Sequence, residues 1–360
     1  MISHPAHFHM FRYTIDNLKK DGHQVVVVIR PKDVLEQLCR DSGMQYYKVK
    51  DRPKKWGLLG LGFSLVEKTI EVGRIVRSER PEMLIGSDGV LAFVGKMRKL
   101  PAFECSEDDA EAIALYAKLF FPFYTGIICP ECCSAWRWDE KKIGYNSYHE
   151  LGYLRPNQFE PNRGVVEQYG INTNSSYILI RFAQLTAHHD VGIHGINSRI
   201  AEHVIEMIKP YGTIYITSER PLEPQFEQYR IKINPLDMHH VMAFASLYIG
   251  DSQTMAAEAG VLGTPFVRFN DFVGRLSYLN ELENKYHLGF GHRTDDLEGF
   301  YKSIQRWLDM PNRKVICETR RQKMLAEKVD YSAFLTWFIE NYPDSREVMK
   351  SDPGYQFRFK

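Results

Sequence analysis

The stretch Ala245–Asp271 constrains what this chain can fold into more than any other. Leu247-Tyr248-Ile249 is an apolar run of the kind found in a parallel strand covered on both faces. Gly250-Asp251-Ser252 turns the chain, and Gln253–Leu262 carries strong helix formers with an apolar face. Gly263 ends that helix, Pro265 prevents its continuation, and Phe266–Phe269 reads as the next strand. A strand, a polar turn and a helix start together make an anion site, because free backbone N–H groups and the helix dipole converge there. Glu258 lies six residues after Ser252, between one and two helical turns along. Its carboxylate could accept hydrogen bonds from a ribose whose phosphates rest on the turn. The same spacing fits an ordinary strand–helix–strand unit with Ser252 as helix cap and Glu258 in solvent.

The rest of the chain repeats this alternation. Apolar runs at Gln24–Ile29, Met44–Val49, Glu82–Ile85, Pro101–Phe103 and Gly126–Cys129 are separated by helical patterns at Met10–Lys20, Val34–Ser42, Ser64–Ser78, Val90–Lys99 and Ala110–Leu119. Tyr145–Tyr153 returns to apolar alternation. Leu154–Asn162 holds two prolines in a polar segment and reads as a linker. Beyond it come strands at Tyr177–Phe182 and Thr213–Thr217, a short strand within Glu227–Ile233, and helices at Gly195–Lys209 and Met238–Ala245. Strands alternating with helices call for parallel, doubly wound α/β sheets. At 360 residues there is room for two such domains. The expected division is 1–158, 163–330, a returning helix over 331–345 with the stripe Tyr331, Phe334, Trp337 and Phe338, and a polar, loosely packed tail over 346–360. Met1–Ile2 is too short for a strand, so the native first strand is expected to be shortened or to lie upstream.

A net charge of +1 gives no whole-chain argument for nucleic acid. No apolar run approaches a spanning helix, and six cysteines without framework spacing point to reduced thiols in a cytoplasm. Cys129-Pro130-Glu131-Cys132-Cys133 lacks the second cluster of a structural zinc site, and buried thiols at a strand end account for it better.

Ligands of doubly wound sheets bind beyond the carboxyl ends of strands. Those ends carry His4, His7 and His9, then Asp88, then Glu104, and then Glu107, Asp108 and Asp109. Asp88 and Glu104 are favoured for acid–base work; Glu107–Asp109 is read as capping and first-turn acids of the next helix. Arg181, at the end of Tyr177–Phe182, and His188 in the following loop are candidates to meet a diphosphate. Trp56 and Leu58, beside Lys54 and Lys55, could touch a lipid or apolar acceptor, although packing on the adjoining helix is the more economical reading.

These residues carry a resemblance. The Asp251-Ser252 turn with Glu258 resembles the nucleotide-sugar motif of the GT-B superfamily, most closely that of the non-hydrolysing UDP-N-acetylglucosamine 2-epimerases. There an Asp-Ser-Gly-Gly turn holds the diphosphate, and a glutamate at the same separation holds the uridine ribose; here Gln253-Thr254 replaces the two glycines. Met238-His239 precedes the turn as the uracil-contacting segment does. Asp88 and Glu104 fall where those enzymes carry two acidic catalytic residues, whereas their glycine-histidine-arginine motif gives way to Arg181-Phe182-Ala183. Ser3–His9, Gly86–Gly89 and Gly250–Pro265 together resemble a family of archaeal and bacterial proteins grouped with GT-B enzymes.

The resemblance implies two Rossmann-like domains with parallel sheets facing a cleft, and a last helix crossing back to the first domain. It implies a nucleotide-sugar substrate, UDP-linked, held by Ser252, Gln253, Thr254, Glu258, Arg181, His188, Met238 and His239. No cofactor or metal is expected. A glycosyltransferase would take a sugar or lipid-linked acceptor near His4, His7 and Trp56, with peripheral membrane contact. An epimerase would use Asp88 and Glu104, and a binding protein would keep the fold without turnover.

Overall fold

The computed structural model describes residues 1–50, 57–183 and 195–360, with side chains of 57–61 left aside. The chain forms two compact units, Met1–Tyr153 with Val329–Lys360, and Leu154–Lys328.

In the first unit, helices α1 (Pro5–Lys20), α2 (Leu35–Asp41), α3 (Gly57–Glu79), α4 (Val90–Arg98) and α5 (Ala114–Phe120) alternate with six short strands. Strands β1 (Val28–Ile29) and β2 (Tyr47–Lys48) pair in parallel. Strands β3 (Leu84–Gly86), β4 (Ala102–Cys105), β5 (Gly126–Pro130) and β6 (Lys142–Tyr145) form a parallel sheet in that order. Met1–Ile2, too short for a strand of its own, still fills a strand's slot. Ile2 bridges Ile29 on one side, and the Met1 amine donates to the Ile85 carbonyl at 2.6 Å on the other. The core is apolar on both sheet faces, with Val72, Val94, Phe103, Ile127 and Ile128 all buried.

The second unit holds α6 (Arg163–Glu167), β7 (Tyr177–Phe182), α7 (Ser198–Ile208), β8 (Thr213–Ser218), α8 (Met238–Phe244), β9 (Leu247–Gly250), α9 (Gln253–Val261), β10 (Phe266–Phe269), α10 (Ser277–Asn284), β11 (Gly289–His292), α11 (Leu297–Leu308) and α12 (Arg313–Glu327). Its sheet is parallel throughout, in the order β11-β10-β9-β7-β8. The chain then returns to the first unit through α13 (Tyr331–Glu340) and α14 (Asp344–Ser351). Two Rossmann-like sets of parallel strands and covering helices make this an α/β protein.

Several elements differ from the sequence reading. The helix expected over Ala110–Leu119 starts only at Ala114, because Asp109 and Ala110 are tied to Ser134: the Asp109 carboxylate accepts from Ser134 N at 2.8 Å, and Ala110 N donates to Ser134 O. Within the stretch read as apolar alternation over Tyr145–Tyr153, only Tyr145 is strand, as the end of β6. Beyond β6, 149–152 is a 3-10 turn rather than a continued strand. Pro224–Tyr229 is likewise a 3-10 turn, leaving only a bridge between Arg230 and Ile216. The tail is not loose. Pro353–Phe359 coils as a 3-10 helix, Tyr355 stacks on Trp337 at 4.8 Å, and Gln356 is wholly buried. Gln356 accepts from Asn146 N and donates to Glu131 Oε1 at 2.6 Å, so a segment polar in composition is held by its polarity.

Candidate functional site

In the second unit the site is built on the β9–α9 turn. Strand β9 ends at Gly250, where a Cβ would come within 2.6 Å of the Tyr248 hydroxyl and 2.9 Å of the Arg181 carbonyl, so a side chain has no room. The buried Asp251 carboxylate accepts from Ala183 N at 2.6 Å and from Ile196 N at 3.3 Å. It thereby ties the β7 end and the start of α7 to the turn; burial pushes its pKa up to about 6, although these N–H donors pull the other way. Asn270 from the end of β10 donates to the Asp251 carbonyl at 2.8 Å. Asp251 is thus the brace of the turn.

Ser252 caps α9, its hydroxyl accepting from Met255 N at 3.4 Å. Gln253 and Thr254 occupy the first helical turn. The Gln253 amide oxygen accepts from Arg268 of β10, which draws that side chain toward the sheet. Arg268 is fully buried and also binds Glu283, through Nε at 2.5 Å and a second nitrogen at 3.2 Å. The bulk that replaces glycine here is therefore tied to a neighbouring strand.

Glu258 is not a solvated helix residue. It is 5% exposed, and its Oε1 lies 2.9 Å from His239 Nε2, itself 5% exposed. A helix packed with Ala256, Ala257, Ala259 and Gly260 on all sides sinks Glu258 far enough to meet α8. Phe159, from the linker segment and part of no motif, tilts over His240 at 4.7 Å and lies 6.1 Å from the His239 ring. Met238 is half-buried on the same first turn of α8. Arg181 points from β7 to Glu219 at 2.5 Å. The structure thus gathers Ser252, Gln253, Thr254, Glu258, Met238 and His239 around α8 and α9, and Arg181 at the adjoining strand end. His188 and Trp56 lie outside the described residues.

The first unit holds a second constellation. His4 caps α1, its Nδ1 accepting from Ala6 N at 3.2 Å, and its ring lies 5.8 Å from that of His7. Ser3 Oγ donates to the Ser87 carbonyl at 3.1 Å and stands 3.5 Å from His7 Nδ1. Burial lowers His7 to about 3, despite the opposing pull of Glu107, so its imidazole is neutral near pH 7.

Glu107, read from sequence as a helix acid, instead lies 2.9 Å from His149 Nε2, and the buried Glu150 lies 3.2 Å from the same nitrogen. Burial raises the Glu107 carboxyl, but the charge and hydrogen bond of His149 more than offset this and hold it below the usual range. Asp108 moves up, through burial and then through Glu107 beside it.

Asp88 is 8% exposed; its carboxylate accepts from Val90 N at 3.2 Å and stands 3.8 Å from Arg30. Glu104 is 2% exposed and accepts from the Tyr116 hydroxyl at 3.0 Å; burial pushes it up to about 8, so it holds a proton at neutral pH. His4, His7 and Glu107 therefore come together, whereas Glu104 faces tyrosines of the core. His149 and Glu150 were missed, since the aromatic alternation around them reads as structure. A His-Glu pair within Tyr148–Leu151 was the available signal. Cys129 and Cys133 are buried, and the Cys133 thiol donates to the Glu107 carbonyl at 3.3 Å and so braces this loop. Among the described residues no group of three or more His, Cys, Asp or Glu side chains is poised to hold a metal ion.

Comparison with solved structures finds the same fold. S. aureus MnaA in complex with UDP is similar over 96% of each chain, at 11% identity and a TM-score of 0.64. The UDP-GlcNAc 2-epimerase of Neisseria meningitidis bound to UDP-GlcNAc matches 91% of this chain and 98% of its own, at 13% identity and a TM-score of 0.54. Spinosyn rhamnosyltransferase SpnG complexed with thymidine diphosphate matches 94% and 99%, at 13% identity and a TM-score of 0.61. Comparison with curated proteins gives no match. The family described as "Protein of unknown function (DUF354)" matches residues 1–288, and this chain belongs to it.

Proposed function

We propose that this protein is a nucleotide-sugar-using enzyme, a metal-independent glycosyltransferase whose donor is held by the second unit. One observation carries the reading: the β9–α9 turn offers a helix start, and the Glu258–His239 pair is buried beneath it at the six-residue spacing. The free N–H groups of Gln253 and Thr254 would take the diphosphate, and the helix start would stabilise it as the leaving group. Glu258, held in place by His239, would accept the ribose hydroxyls, and the Met238–His239 turn would border the base. The structures of similar fold include complexes with UDP, UDP-GlcNAc and thymidine diphosphate, which supports a nucleotide ligand.

In the first unit His7, partly open to solvent and with the charge of Glu107 working against the effect of burial, is the group placed to take a proton from an acceptor hydroxyl. Asp88 is committed to Val90 N and to Arg30. A second reading, the epimerase, draws on Glu104: a carboxyl that stays protonated near neutral pH can give a proton to a sugar carbon or oxygen.

Incubation with UDP-N-acetylglucosamine alone separates the two. The transferase reading expects no turnover without an acceptor; formation of the manno epimer or of free UDP with an unsaturated sugar would overturn it. Failure to bind any UDP-, GDP-, dTDP- or CMP-sugar in calorimetry would overturn both.

A further inference from the structure

The outer side of α3 carries Phe63, Val66 and Ile70, which are 82%, 59% and 52% exposed. Their spacing of three and four residues puts them on one stripe. The stripe continues into Arg74 and Arg77, both exposed. Arg98, at the end of α4, donates to the Gly73 carbonyl at 3.2 Å, next to Arg74. That bond sets the exposed run Lys96-Met97-Arg98-Lys99 alongside the stripe, with Met97 73% exposed.

Of the three acids of α3, the half-buried Glu67 borders the stripe and the other two are engaged elsewhere. The Glu71 carboxylate accepts from Lys50 N at 3.0 Å, and Glu79 accepts from the Tyr47 hydroxyl at 2.7 Å. The chain as a whole carries only +1, so five cations gathered beside four bare apolar side chains is a local excess.

An apolar face bordered by cations suits the boundary of a bilayer, where the side chains enter the acyl region and the cations meet anionic headgroups. A second copy of the chain fits less well. A two-fold interface lays a patch against itself, and this patch offers its five cations only the half-buried Glu67 as an acidic partner. Among the described residues no helix is long and apolar enough to cross a membrane, so the contact is one of surface docking.

We propose that the α3 stripe and the end of α4 dock the first unit onto an anionic phospholipid surface. This does not depend on the nucleotide-sugar reading.

The test is flotation of the full chain with vesicles of phosphatidylcholine alone or with added phosphatidylglycerol. Binding is expected only to the anionic vesicles, with loss at high salt. The Phe63→Ser/Ile70→Ser and Arg74→Glu/Arg77→Glu variants should each bind at least about tenfold more weakly, with unchanged melting temperature. No flotation with anionic vesicles would overturn the proposal, as would equal binding by both variants. So would a dimer in light scattering that Phe63→Ser/Ile70→Ser converts to monomer, because the stripe would then be covered by a second copy.

Discussion

The donor residues of the second unit lie within one short stretch, Ser252–Glu258, joined by His239 from the helix before it. The titratable cluster of the first unit is assembled from three distant segments: His4 and His7 at the start of α1, Glu107 after β4, and His149-Glu150 after β6. A contiguous site is set by local rules, the strand, the turn, the cap and the helical period. A dispersed one exists only once the sheet has brought its strand ends together. The first can be damaged in one place; the second fails whenever a brace between segments is removed.

The largest effect should come from Arg268, which ties the contiguous site to β10. Arg268→Ala leaves Glu283 buried without its guanidinium and frees Gln253, and should cost roughly 3–5 kcal/mol in denaturant unfolding. An Arg268→Met/Glu283→Leu double variant should recover most of that, which would show that the pair positions the turn more than it stabilises the unit.

Next comes a pH effect in the first unit. Glu104 sits near 8 in the folded chain against an ordinary 4.5, so between those values the native state holds more protons than the unfolded one. Stability should therefore be greatest toward the acid end of that window and fall as pH rises across it to about 8, by at most roughly 5 kcal/mol. Unfolding midpoints measured across the window should flatten in Glu104→Gln.

Glu258→Gln should weaken nucleotide binding by about 1–3 kcal/mol while His239 keeps a hydrogen-bonding neighbour. In His149→Gln, Glu107 loses the partner that holds it down while burial remains. Its carboxyl, followed by carbon NMR, should then titrate about one unit or more higher. An unmoved Glu107 would mean that the dispersed cluster is not coupled. Smallest is Ser252→Ala, about 1 kcal/mol of stability for a lost helix cap.

The same contrast explains what could be read from the sequence. Alternating apolar runs and turn residues are local signals, so the α/β class and the β9–α9 turn were legible in them. The burial of Glu258 was not, because it follows from α9 being small-sided and packed all round. Glu107 looked like a helix acid because its partner His149 is distant in sequence and hidden in an aromatic segment. The order in the tail was missed because Gln356 is buried through hydrogen bonds to Asn146 and Glu131, which a polar composition conceals. Ala110–Ile113 was read as helix because the hold of Asp109 and Ala110 on Ser134 is a long-range bond.

The central claim is that the β9–α9 turn holds a nucleotide sugar, and calorimetric titration of UDP-N-acetylglucosamine into the wild type and Glu258→Gln tests it most directly. The account predicts saturable binding at one site, weakened by about 10–100-fold in the variant. Equal affinity in the two proteins would contradict it.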